Sequence, residues 1–331
     1  MKTYTVAILG ATRALGREMV KILEQRNFPV GRLRLLASRR SVGTTIPFRG
    51  QAVAVEEATE TAFQGVDLVL GAAENDIAKR FADAIVKAGA VFVDNSSAFR
   101  LDPNVPLVVP EVNPHAVEAH RGILANPNCS TIITLTAVAA LHRLSPIRAM
   151  VASTYQAVSG AGIGGIRQLE AELAGETPEQ PVFPHPIARN LIPQIGGQQE
   201  QGYTSEEMKL QNEGRKILEA PEMKVSCTCV RVPVVRSHSI SVNLRFEETV
   251  TVEQARQAIA HAPGCRLVDD LDNGLYPMPL DTSDQDLVWV GRIRPDLTDE
   301  KGLCLWCCGD QIRKGAASNA VQILKYLIEN K

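Results

Sequence analysis

Cys129 stands in "NPNCSTIITLTAVAAL", where a Pro-Asn turn meets a run that reads as an apolar helix. A thiol at a helix N-terminus feels the positive end of the macrodipole. The free backbone N–H groups there lower its pKa below about 8.5 and supply donors for an oxyanion. That is a nucleophile's position, and a buried packing cysteine is the competing reading. Of the histidines at 115, 120, 142, 185, 238 and 261, His238 differs in context. It lies in "RVPVVRSHSISV" at the junction of two strand-like runs, seven residues after Arg231 and among polar neighbours. A histidine is suited to proton chemistry near neutrality, although one histidine in a strand turn does not identify a site.

A second chemistry is written at the N-terminus. "VAILGATRALGREMV" reads as a buried strand, a glycine turn and an amphipathic helix, the opening of a dinucleotide-binding unit. Such a loop usually has a further glycine between Gly10 and Gly16, where the backbone passes close to a pyrophosphate, and this chain has Arg13 there. About 20 residues on, where an NAD-binding chain places an acid for the ribose hydroxyls, "ASRRSVG" offers Ser38, Arg39, Arg40 and Ser41 with no carboxylate. Those donors suit a 2′-phosphate and favour NADP over NAD, against the alternative of an exposed basic turn. Cys304 and Cys307 have a metal-like spacing, but on an extended strand it sends the two sulfurs to opposite faces, so no metal site is expected.

The elements that must carry these residues fall into two sets. The first third alternates strands ("YTVAIL", "LRLLAS", "VDLVLGAA", "AVFVDNSS") with helices, and the short runs "LVVPEV" and "GILAN" extend the pattern. This is a Rossmann-like α/β domain with a parallel sheet covered on both faces. After Cys129 the strands lengthen: "IRAMVASTYQA", "KVSCTCVRVPVV" followed closely by "HSISVNLRF", then "LVWVGRIR" and "GLCLWCCGD". Short links between strands predict an α+β domain with a mainly antiparallel sheet, and with helices near 165–173, 205–218 and 252–260. The prolines of "GETPEQPVFPHPIARNLIPQIGG" forbid regular helix and predict a long ordered loop.

Composition fits this division. With 331 residues, two domains are the first expectation. A formal charge of −2 gives no global field for nucleic acid or an anionic membrane, and neither partner is expected. No apolar run approaches the roughly 20 residues that span a bilayer, and "MKTYTVAILG" enters a strand without a cleavable signal pattern, which predicts a cytoplasmic protein. An odd number of cysteines, seven, spread over a long chain fits reduced thiols.

At "NPNCST", "STYQAVSGAG", "RVPVVRSHS" and "GDQIRKGAASNAVQI" together, the chain resembles the aspartate-semialdehyde dehydrogenases of bacterial type. The resemblance runs essentially end to end and includes "ASRRSVG", "DNSSAFR", "VPLVVPEVN", "YTSEEMK" and "VGRIRPDL". It implies an NADP-binding domain over 1–127 and 312–331, with the C-terminal helix returning to it, and a catalytic and dimerisation domain over 128–311. It implies that Cys129 is the nucleophile, His238 the acid/base, and Gln156 the group that orients the substrate or thiohemiacetal. Arg231 would hold the substrate carboxylate and Glu206 its ammonium, while Arg100, Asn128 and Lys209 would bind phosphate. The cofactor would lie against Gly10, Thr12, Arg13, Ala14, Leu15, Ser38, Arg40, Ser41, Ala72, Ser159, Gly160 and Gln311. In "YTSEEMK", Thr204 and Glu207 form a capping box that puts Glu206 and Lys209 on one helical face. The chain departs from the family pattern at Arg13, at Gly71 where a serine is usual and at Ala73 where a glycine is usual.

The implied reaction is the reversible, NADP-dependent reduction of 4-aspartyl phosphate to aspartate 4-semialdehyde and phosphate through a Cys129 thioester. It belongs to the synthesis of lysine, threonine, methionine and diaminopimelate. A homodimer or tetramer is implied as well. The alternatives are a reductase of another acyl phosphate and a non-catalytic relative with an altered cofactor loop.

Overall fold

A computed structural model describes residues 2–330. Two separately packed units account for these residues. One runs up to Asn128 and resumes at Ala316, and the other is Cys129–Gly315.

The first unit is built on β1 (Tyr4–Leu9), α1 (Ala14–Gln25), β2 (Val30–Ala37), β3 (Thr45–Phe48), β4 (Gln51–Glu57), β5 (Leu68–Gly71), α2 (Asn75–Lys87), β6 (Val91–Asp94) and β7 (Ile123–Ala125). Its seven-stranded sheet has the order β3-β4-β2-β1-β5-β6-β7, parallel except for the β3–β4 pair. Alternation along each strand feeds two cores. Ile8, Leu35, Leu70 and Val93 pack with Met19 and Leu23 of α1 and Leu324 of the C-terminal helix Ser318–Glu329. Ala7, Leu36, Val69 and Phe92 pack with Phe81 and Ile85 of α2. Burial on both faces is why these strands read as nearly continuous apolar runs. From β1 the chain passes to β2 on one side and later to β5 on the other, so the strand order reverses at β1, where α/β sheets bind their ligands.

Two expectations change here. "LVVPEV" is not a strand: only Leu107 pairs, by an isolated bridge to Ala125, and the chain then turns as the N–H groups of Val112 and Asn113 donate to the Val109 carbonyl. Pro110, which has no N–H, interrupts any ladder there. The β3–β4 hairpin was not foreseen, because edge strand β3 alternates over only four residues and β4 has a single buried position, Val55.

The second unit contains α3 (Cys129–Leu144), β8 (Ile147–Gln156), α4 (Ile163–Leu173), α5 (Ser205–Ile217), β9 (Lys224–Arg231), β10 (His238–Phe246), α6 (Val252–Ala260), β11 (Cys265–Leu267), α7 (Pro279–Thr282), β12 (Val288–Pro295) and β13 (Gly302–Gly309). Its six-stranded sheet has the order β11-β12-β13-β10-β8-β9. It is mixed: β12–β13, β13–β10 and β10–β8 are antiparallel, while β8–β9 and β11–β12 are parallel. The close succession of β9 and β10 reads as a hairpin in the sequence, yet β8 lies between them. The link carries its Val234 and Val235 carbonyls to the N–H groups of Val158 and Ser159, just beyond the end of β8. Helix α3 is buried on every side from Ser130 to Leu141, hydroxyl residues included, so it is an interior helix rather than an amphipathic surface one. Residues 175–199 of the proline-rich segment carry neither helix nor strand.

Residues 312–315 group with the second unit rather than with the C-terminal helix. The buried Asp310 carboxylate accepts from the N–H groups of Ile312 and Arg313, and Arg313 pairs with Asp286 at 2.9 Å, which ties this stretch to its own unit. Among the described residues no helix is long and apolar enough to cross a membrane.

Candidate active site and dinucleotide pocket

In the second unit the strand register gathers residues that are far apart in the chain. Gln156 ends β8 and Arg231 ends β9, directly opposite one another in the parallel pair, and His238 opens β10 next to them. All three are buried. Gln156 Nε2 donates to Ser130 Oγ at 2.7 Å, which joins it to the first turn of α3, where Cys129 is the first residue. Arg231 Nη1 donates to the Ala157 carbonyl at 2.7 Å, and its guanidinium lies 5.6 Å from the centre of the Phe183 ring. The N–H of the same Ala157 donates to His238 Nδ1 at 3.1 Å.

Two glycines keep this cluster open. A Cβ on Gly160 would come within 2.7 Å of Arg231 Nη1 and 3.2 Å of His238 Cε1, and one on Gly315 within 3.0 Å of the Cys129 Cβ. Space is therefore reserved beside Arg231, His238 and Cys129.

The electrostatics follow from burial. Desolvation pulls the pKa of Arg231 down, opposed by negative charge on Cys129, Glu206 and Cys229. Desolvation also depresses His238 to about 3, with the Arg231 charge adding to the effect and Glu206 opposing it. The ring is thus neutral near pH 7. Because Nδ1 accepts from a backbone N–H, the ring proton resides on Nε2, which has no hydrogen-bond partner in its buried position. Burial raises the thiols of Cys304, Cys307 and Cys308, which makes them poor nucleophiles.

Helix α5 supplies the charged wall. Its capping box is formed: Thr204 Oγ1 accepts from the Glu207 N–H, and Glu207 Oε2 accepts from the Thr204 N–H at 2.7 Å. The other Glu207 oxygen accepts from the Cys229 N–H at 2.9 Å, which pins the helix start to β9. Glu206 and Lys209 then share one face at 2.7 Å, and Glu206 also receives a bond of 3.3 Å from Gln156. Gln311, whose implied role is with the cofactor, is occupied internally: it donates to Ser159 and accepts from the N–H of Ser237 at 2.9 Å. Ser237 has a φ of 72° and directly precedes His238, so Gln311 braces a strained position next to the histidine. Ser130, Phe183 and the Ala157 backbone were not foreseen. Only the neighbourhood "TYQAVSG" hinted at the last.

In the first unit a cavity of about 330 Å³ opens at the carboxyl ends of β1, β2, β4 and β5. Gly10, Thr12, Arg13 and Ser38 line it; Ala14, Leu15, Arg40, Ser41 and Ala72 do not. Arg39 lines it where Arg40 was expected, and Glu57, Ile77, Arg80 and Phe81 were not foreseen. Gly10 has a φ of 87°, and its Cβ would lie 2.8 Å from the Ala72 carbonyl oxygen, so only glycine fits where the loops touch. This close-backbone cradle, with apolar walls and guanidinium groups, fits an adenine dinucleotide. Arg13 takes ordinary extended angles (φ −72°, ψ 158°) just before α1, so the missing glycine carries no backbone penalty. Arg100 is anchored through the carbonyls of Asn95 (2.8 Å) and Asn126 (3.0 Å), and Asn128 is buried in the same unit. Among the described residues no group of His, Cys, Asp or Glu is arranged to hold a metal ion.

The likeness to known proteins runs over nearly the whole chain. Residues 5–120 match the family described as semialdehyde dehydrogenase, NAD binding domain, and residues 138–314 match semialdehyde dehydrogenase, dimerisation domain. The chain is 50% identical to an aspartate-semialdehyde dehydrogenase of Synechocystis, over 98% of this chain and 97% of that one. It superposes on aspartate semialdehyde dehydrogenase II of Vibrio cholerae, solved in complex with ASA, with a TM-score of 0.96, 40% identity and 99% of both chains covered. For the Candida albicans aspartate semialdehyde dehydrogenase with NADP the TM-score is 0.78, with 25% identity and 98% of both chains covered.

Proposed function

The chain belongs to the aspartate-semialdehyde dehydrogenase family, and we propose that it is an NADP-dependent, phosphorylating enzyme that interconverts aspartate 4-semialdehyde and 4-aspartyl phosphate. The observation that carries this reading is the buried cluster of Gln156, Arg231 and His238 on adjoining strand ends, joined through Ser130 to the helix that Cys129 begins.

In the oxidative direction the Cys129 thiolate adds to the aldehyde carbon, and the carbonyl π pair moves onto oxygen. His238, neutral with its proton on Nε2, donates a hydrogen bond to that oxyanion; this is the donor half of the acid/base role implied by the family pattern. Collapse of the oxyanion re-forms C=O and leaves an acyl thioester on Cys129. When bound, the nicotinamide takes up the hydride expelled in this direction and returns it in the other. Phosphate then attacks the thioester, and Cys129 departs as thiolate with aspartyl phosphate as product. Arg231 holds the substrate carboxylate, Glu206 the ammonium, and Lys209 with Arg100 and Asn128 the phosphate. Gln156, fixed by Ser130 and Glu206, orients the acyl portion.

NADP rather than NAD is supported by Ser38 and Arg39 at the pocket, by Arg40 beside them, and by the absence of an acid at the end of β2. The NADP in the Candida albicans relative points the same way. Seven free cysteines suit a reducing cytoplasm, and the dimerisation-domain match supports a homodimer or tetramer. The product serves the synthesis of lysine, threonine, methionine and diaminopimelate.

The test is nicotinamide reduction with aspartate 4-semialdehyde, with and without phosphate, using NADP and NAD. Phosphate-dependent turnover that favours NADP is expected. Absence of turnover with either cofactor contradicts the reading, and turnover only with an N-acylated semialdehyde, which lacks the ammonium, assigns the chain to another acyl phosphate.

A further inference from the structure

Arg13 and Glu74 form an ion pair at the rim of the dinucleotide pocket. Arg13 lines the pocket, and Glu74 directly follows Ala73, which lines it too. Each residue stands just before a helix, α1 or α2, and neither gives its helix a side-chain cap. The two segments meet where Gly10 approaches the Ala72 carbonyl. A carboxylate is thus held by a guanidinium at the positive ends of two helix dipoles, where a dinucleotide seats its pyrophosphate.

We propose that Glu74 is a built-in competitor for the pyrophosphate: it holds Arg13 until a dinucleotide arrives and then yields the guanidinium to the phosphate oxygens. This rests on the reading of the first unit as the nicotinamide-cofactor site. The exchange is favourable because the pair is weak where it stands. The Arg13 and Glu74 side chains are 49% and 74% exposed, and an ion pair so open to solvent is heavily screened. A phosphate offers Arg13 a bidentate, charge-assisted contact, and it brings more negative charge to the helix ends than one carboxylate does. Arg13 at a usual glycine position and Glu74 within the altered "GAAEND" stretch, residues 71–76, therefore belong together. The arginine is a ligand with a holder, and the holder sets how tightly the cofactor binds.

The experiment is calorimetric titration of the intact protein with NADP, with ADP-ribose, which keeps the pyrophosphate, and with adenosine 2′-monophosphate, which lacks it. Glu74→Gln is expected to tighten NADP and ADP-ribose by about three- to fivefold. Arg13→Ala is expected to weaken both by about tenfold, and neither change to move adenosine 2′-monophosphate. Tighter NADP binding in Arg13→Ala would make the arginine an obstruction and overturn the proposal. Unchanged or weaker binding in Glu74→Gln would overturn it too, leaving the cofactor reading intact. If the parent and both variants bind none of the three, the cofactor reading itself fails and the proposal falls with it.

Discussion

The two sites are built on opposite principles. In the second unit Gln156, Arg231 and His238 are buried, and Gln156 and Arg231 are held in place by hydrogen bonds to Ser130 and the Ala157 carbonyl. The pocket of the first unit is rimmed by exposed arginines, one of which is paired with a glutamate that solvent reaches freely. A reacting centre must hold its groups within fractions of an ångström while charge develops, and burial makes each dipole count for more. A cofactor that enters and leaves each cycle needs contacts that form and break, which screened surface charges provide.

If that contrast holds, substitutions in the buried cluster cost far more than those on the rim. Cys129→Ala should have the largest effect, a loss of about 10⁴-fold or more in kcat with NADP affinity retained, read by steady-state assay and titration. His238→Asn should lower kcat by about 10²- to 10³-fold, the cost of removing an oxyanion donor. With His238 depressed to about 3, its ring stays neutral from pH 5 upward, so the parent's kcat profile should show no limb near 6.5. A limb there that vanishes in His238→Asn would show a protonated ring at work. For Gly160→Ala, whose added Cβ would fall 2.7 Å from Arg231 Nη1, a drop of about ten- to a hundredfold in kcat/KM is expected. Full activity would mean that the cluster is looser than its packing implies. On the rim, Arg39→Ala should weaken NADP by about tenfold and leave NAD unchanged, as judged by the two dissociation constants. An equal or larger effect from Arg40→Ala would move the 2′-phosphate contact to that residue.

The same contrast governs what could be read in the sequence. The parallel strands of the first unit announce themselves because both faces are buried, and the capping box of α5 is local chemistry that the residues spell out. The β3–β4 hairpin is hard to see because β3 alternates over only four residues, one of them Pro47, and β4 buries only Val55. Strand adjacency was harder still. Nothing in "VRVPVVRSHS" reveals that β8 separates β9 from β10, although that order is what sets Arg231 beside Gln156. Those residues were joined in the sequence only by family resemblance. Which of Arg39 and Arg40 turns into the pocket depends on one 3₁₀ turn, which spacing alone does not orient.

In the proposed reaction Cys129 carries the acyl group between hydride transfer and phosphate attack. This role is tested most directly by mixing the protein with aspartate 4-semialdehyde and NADP in the absence of phosphate, quenching rapidly in acid, and mapping adducts by mass spectrometry. A burst of NADPH matched by an aspartyl thioester on Cys129 is expected, and the thioester should disappear when phosphate is added before the quench. NADPH formed without any adduct, or an adduct on another residue, would contradict that role.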